Sequence, residues 1–201
     1  WHILNRMENV GGELNAYTNK EETVIYSAFL KEDFLRAAEL LTDIVFNSTF
    51  PQNEIEKETE VIIDEIQSYE DSPAELIFDD FEELIFPNHP LGRNILGKPE
   101  QLRNFRSEDA LDFVGRYYKP DNLVFFVQGN LDFNRIVRTM EKVTAMIPFG
   151  KVENYVRQAP GPYVPRQVTV HKDTHQIHVM IGGRGYSAYD ERRTGLYLLN
   201  N

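Results

Sequence analysis

The chain has 201 residues, 41% of them hydrophobic and 12% aromatic, which is enough for a real core and excludes a disordered chain. Its formal net charge of −11 repels nucleic acid and favours cationic partners such as basic peptides. Cysteine is absent, which excludes disulfides and thiolate metal sites, and no apolar run approaches the roughly 20 residues that span a bilayer.

Ile3, Leu4, Met7 and Val10 recur at helical spacing, and Gly11-Gly12 ends that helix. Two strand-like runs follow, ELNAYTN and ETVIYSAFL, joined by the polar turn Asn19-Lys20-Glu21. The second mixes Val24, Ile25, Tyr26 and Phe29 on both faces, which predicts a well-buried strand. LKEDFLRAAELLTDIVFN predicts an amphipathic helix that Phe50-Pro51 breaks. A long glutamate-rich helix comes next. Ser72-Pro73-Ala74-Glu75 then predicts a capping box with Pro at the first helical position, opening a helix to about Phe86.

FPNHPLGRNILGKPEQL is a loop rich in Gly and Pro, and SEDALDFVGRYY a short helix stopped by Lys119-Pro120. NLVFFVQG predicts a buried strand and LDFNRIVRTMEKVTAMI a helix. Pro148, Gly150, Pro160, Gly161, Pro162 and Pro165 mark the best domain boundary in the sequence. Beyond it RQVTVHK and HQIHVMIGG predict paired strands, with a helix starting near Asp190. Helices and strands mix without strict βαβ alternation. That order predicts an α+β fold, an antiparallel sheet with helices on one face.

Four places invite chemistry. In KETEVIIDEIQSYED, Glu58 and Glu65 lie seven residues apart, only about 20° apart around a helix, on the side of Ile55, Val61, Ile62, Ile66 and Tyr69. Such a pair reaches water at the stripe's edge, pairs with Arg or Lys, or serves a metal or acid-base site. A buried carboxylate without a partner is costly, so an inward pair requires a cation. His171, His175 and His178 fall in eight residues. A hairpin there would put His178 inside a strand and the others at its turn, so the reading is surface histidines, not a zinc site. Gly182-Gly183-Arg184-Gly185 lacks phosphate-loop spacing and reads as a turn. GGELNAYTN reads either as an ordinary strand or as an edge strand that an extended peptide could join.

GGELNAYT, the helix with Glu58 and Glu65, HPLGRNILG and YYKPDNLVFFVQGN, in this order, resemble the pitrilysin/insulinase family of zinc metallopeptidases, the inverzincins. HQIHVMIGGRGYSAYDERRTGLYLLNN looks like the start of that family's second homologous domain. The resemblance implies an N-terminal peptidase domain over residues 1–158 and the beginning of a second domain over 159–201. It implies zinc, with Glu65 as the distal metal ligand and Glu58 as catalytic outer-shell support. It matches Asn15, Ala16 and Tyr17 to the strand edge that holds substrate backbone. The partners it implies are unfolded peptide substrates and a second homologous domain or subunit that closes a chamber.

The family's His-x-x-Glu-His motif occurs nowhere in residues 1–201. Its distal Glu follows about 75 residues later, so the motif is expected roughly eleven residues before Trp1. The expectation is therefore an internal fragment of a zinc endopeptidase, inactive by itself and prone to self-association through an uncovered sheet edge. Two alternatives stand beside it: a non-catalytic chamber-forming or scaffolding subunit of the same fold, and an acidic α+β binding domain.

Overall fold

The computed structural model describes residues 2–153, 157–173 and 175–200. The expected turn at Thr174 and part of the expected domain boundary lie outside the described residues. Helix α1 (His2–Glu8) leads into strands β1 (Glu13–Thr18) and β2 (Thr23–Ala28). Helices α2 (Phe34–Asn47), α3 (Gln52–Glu70) and α4 (Pro73–Ile85) follow. After the short α5 (Pro99–Leu102) come α6 (Ser107–Tyr117), α7 (Phe133–Val143) and α8 (Arg193–Asn200). The fold is α+β. The chain forms two compact units, Trp1–Glu60 with Glu100–Arg157, and Val61–Pro99 with Gln158–Asn201.

In the first unit β1 and β2 form an antiparallel two-stranded sheet, with Leu14 opposite Ser27 and Ala16 opposite Ile25. Helices α1 and α2 pack on this hairpin. Met7, Ala37 and Leu40 are buried there, with Val10, Leu14, Phe29 and Ile44 against them. The other face carries Tyr17 and Tyr26, ring centroids 6.4 Å apart. β2 is thus covered on one face rather than well buried. A sheet of two strands buries only the face that helices cover.

Helix ends follow side-chain chemistry, though not always as expected. Asp132 caps α7 by accepting from the Arg135 N–H at 2.9 Å. The Asp109 carboxylate accepts from the Arg106 N–H at 2.7 Å at the start of α6. The capping box expected at Ser72 is corrected. Pro73 does occupy the first turn of α4, but the Ser72 side chain makes no cap bond, and its carbonyl accepts from Glu75 instead.

In the second unit the HPLGRN loop is tied back to α4. His89 Nδ1 accepts from the Leu91 N–H, and Asn94 Nδ2 donates to Asp79 at 2.9 Å. A side chain at Gly92 would place its Cβ 2.4 Å from the Phe86 carbonyl oxygen, so only glycine fits there.

Two further strand expectations are corrected. The 123–129 segment forms no ladder among the described residues, and Val124 (93%) and Phe126 (79%) are largely exposed. The segments 166–172 and 176–182 form no described ladder either, and Val168, Val170, Ile177 and Val179 are exposed. A β-rich apolar run states only that its surface suits a sheet. The ladder needs a neighbour in register, which periodicity does not encode.

Helix α8 starts three residues after the expected Asp190. The Asp190 carboxylate accepts from the Arg192 N–H at 2.9 Å and from its guanidinium at 2.8 and 3.0 Å. The Arg192 side-chain bond, then its backbone bond, push the Asp190 carboxyl down from 3.8 to about 2. A depressed carboxyl stabilises the fold above its unfolded value and loses that contribution as pH falls through the folded one. The contact is therefore expected intact above pH 3.8 and lost as pH falls through about 2. A carbon-13 titration of the Asp190 carboxyl checks this, and a midpoint near 3.8 would contradict it.

Candidate functional site

Helix α3 forms because Pro51 starts a sequence with no further Pro or Gly up to Glu70. Along its apolar stripe Thr59, Ile63 and Ile66 are buried, Ile55, Ile62 and Tyr69 are half-buried, and Val61 is exposed beside them. Glu58 is exposed, and Glu65 is exposed. Among the described residues neither carboxylate makes an ion pair or hydrogen bond. Of the readings open for the pair, the described residues fit the first: both carboxylates flank the stripe and face water. Burying two unpaired carboxylates would cost roughly several kcal/mol, and with Ile63 and Ile66 inside both stay in water.

Asn15, Ala16 and Tyr17 sit together on β1, opposite Tyr26, Ile25 and Val24, and all three are exposed. The Asn19 N–H donates to the Glu22 carbonyl at 2.9 Å, which makes that couple a hydrogen-bonded pair at the turn. Bonded and non-bonded pairs alternate along an antiparallel ladder. The Tyr17:Val24 and Asn15:Tyr26 pairs are therefore bonded, and Ala16:Ile25 and Thr18:Thr23 are not. The Thr18 and Thr23 hydroxyls, 3.1 Å apart, fit the closer approach of a non-bonded pair. The Ala16 N–H and C=O consequently point to the outer edge of β1, which no other described strand occupies. Asn15 Oδ1 accepts from the Ala16 N–H at 2.8 Å.

His171 and His175 are exposed and His178 is half-buried. His175 and His178 line a cavity of about 380 Å³ with Asp71, Ser72, Pro73 and Ala74. Lys172 Nζ donates to the Glu70 carbonyl at 3.0 Å, which satisfies one of the last carbonyls of α3. Among the described residues no group of three or more His, Asp or Glu is placed to hold a metal ion. A catalytic zinc takes three protein ligands and a water. Glu65 alone does not meet that requirement, so the described residues do not by themselves fit a zinc ion.

The sequence reading missed Arg184. The Gly-rich segment expected to be a turn instead delivers this guanidinium to the end of α4. Its Nε and Nη2 donate to the Ile85 carbonyl at 3.0 and 2.8 Å, and Nη1 donates to the Gly161 carbonyl. Phe86 and Tyr163 flank it, with ring centroids 5.0 and 5.6 Å from its Cζ. A lone arginine among glycines, with an aromatic residue near a distant helix end, was the available signal.

The insulinase (peptidase family M16) profile matches residues 2–99, and the peptidase M16 inactive-domain profile matches residues 104–201. A zinc protease of Rickettsia bellii is 34% identical over 92% of this chain and 44% of its own length. The zinc protease YmxG of Bacillus subtilis is 34% identical over 99% of this chain and 48% of its own length. The chain thus spans about half the length of these relatives. The crystal structure of an M16-like peptidase from Alicyclobacillus acidocaldarius has the same fold, with a TM-score of 0.69 at 23% identity. The match covers 80% of this chain and 38% of that one.

Proposed function

The chain belongs to the insulinase (M16) peptidase family, and from that premise we propose that it is part of a zinc-dependent endopeptidase that hydrolyses unfolded peptides. The observation that carries the reading is the pair of family matches along nearly the whole chain, with relatives named as zinc proteases. Residues 1–158 then form the N-terminal peptidase domain, and 159–201 begin the second homologous domain. Glu65 contributes one metal ligand, and Glu58 supports the site from the outer shell. The exposure of both on α3 leaves them accessible to groups supplied by residues outside this sequence. The outer edge of β1 at Asn15, Ala16 and Tyr17 receives the peptide backbone as an added strand. A second homologous domain or subunit closes the chamber around that peptide.

The 201-residue chain lacks His-x-x-Glu-His and is itself inactive on this reading. The test is the zinc content of a chain extended about thirty residues upstream, which should bind about one zinc and lose it on Glu65→Gln. Peptide turnover by the 201-residue chain should not exceed that of its own Glu65→Gln variant. Turnover above that control would contradict the inactivity.

A second reading, a non-catalytic chamber-forming subunit of the same fold, is favoured by the inactive-domain match over residues 104–201. An extended wild type that binds no zinc would select it.

A further inference from the structure

The outer edge of β1 is capped at its centre in the described state. Its Leu14 and Thr18 N–H groups share the outward direction of Ala16 by the same alternation. The central donor, the Ala16 N–H, is already taken by the side-chain carbonyl of Asn15 at 2.8 Å. A peptide that adds to this edge needs that same N–H for one of its own carbonyls. Both residues are exposed, so solvent could satisfy the amide without help, and no burial forces this contact. Tyr17 and Tyr26 are exposed on the outer face of the hairpin, next to a β1 edge that no other described strand covers, and an uncovered edge pairs with other chains unless it is blunted.

We infer that Asn15 is a built-in competitor for the β1 edge: its Oδ1 occupies the Ala16 N–H and must rotate away before an extended peptide can pair there. Asn15 is then a positioning and selectivity residue. It blocks weak or accidental strand pairing, and it yields to a peptide held by several contacts at once. This inference rests on the edge-strand reading proposed above. The net worth of one such hydrogen bond corresponds to a gate of about threefold to tenfold.

The test is amide hydrogen exchange on the isotope-labelled 201-residue chain, alone and with a disordered decapeptide of alanine and lysine. Lysine suits the net charge of −11. The expected result is that Asn15→Ala speeds exchange at Ala16 by about threefold to tenfold and tightens peptide binding by about threefold. Tyr17, bonded to Val24 in the ladder, should keep its protection. Asn15→Asp, which keeps an acceptor, should leave Ala16 slow. If Asn15→Ala opens the hairpin, seen as lost protection at Tyr17, Asn15→Leu removes the acceptor while keeping volume and strand propensity. Unchanged Ala16 exchange in the acceptor-free variant, with the peptide still slowing Leu14 and Thr18, would overturn the gate and leave the edge reading standing. A peptide that slows neither Leu14 nor Thr18 would overturn the edge reading and the gate with it.

Discussion

Phe34→Ala should destabilise the first unit by about 4 kcal/mol, the usual cost of emptying a buried phenylalanine site. Phe34 opens α2 and is 1% exposed. Its ring stacks on Phe29, just beyond β2, with centroids 6.2 Å apart and planes 28° from parallel. Ala37, Ala38 and Leu40 are buried along the same helix. Alanine side chains have no rotamer freedom with which to refill the gap. The cavity term therefore adds to the lost transfer energy rather than relaxing away. Urea unfolding followed by circular dichroism measures the effect. A loss below about 1 kcal/mol would mean that the site collapses or that Phe34 is less well packed than its burial indicates. Phe34→Leu, which keeps most of the volume, should cost about 1.5 kcal/mol.

Arg184→Ala should cost the second unit about 3 kcal/mol. The guanidinium is half-buried and gives two hydrogen bonds to Ile85 and one to Gly161. Hydrogen bonds from a charged donor contribute about 1.5–3 kcal/mol, and the flanking Phe86 and Tyr163 rings about 1 more. The carbonyl at the C-terminal end of α4 is a favourable place for a cation even without a carboxylate. Truncation would leave the Ile85 carbonyl without its donors and release the chain around Gly161. Arg184→Lys should recover less than half of the loss, because a lysine cannot present two donors in a fixed fork while stacking between rings. Limited proteolysis near Gly161–Arg166 and urea unfolding report the two consequences together. Unchanged cleavage there in Arg184→Ala would show that other contacts hold this stretch to α4.

These two sites differ in how visible they were. Phe34 lies in a plain amphipathic helix, and its burial follows from a 3.6-residue period. Arg184 lies 99 residues from Ile85, and no local pattern joins them. The same contrast runs through the candidate site. Glu58 and Glu65 were legible as neighbours on one helix side, because that depends only on the helical pitch. Whether that side faces core or water depended on what packs against Ile63 and Ile66, and the packing turned both carboxylates outward.

Apart from the short α5, which it read as part of a loop, the sequence by itself determined helices α1 to α4, α6 and α7, the β1–β2 hairpin with its turn, and the order of segments that marks the family. These are local quantities, set by periodicity, by Pro and Gly stops and by short polar turns. Only the tertiary structure decided that the apolar runs at 123–129 and 166–182 carry no ladder among the described residues. It likewise decided that Arg184 holds the end of α4 and that Asn15 covers the Ala16 N–H. The reason is physical. A hydrogen bond or a packed ring requires a partner at a particular place, and that place is set by the whole chain rather than by the residues on either side.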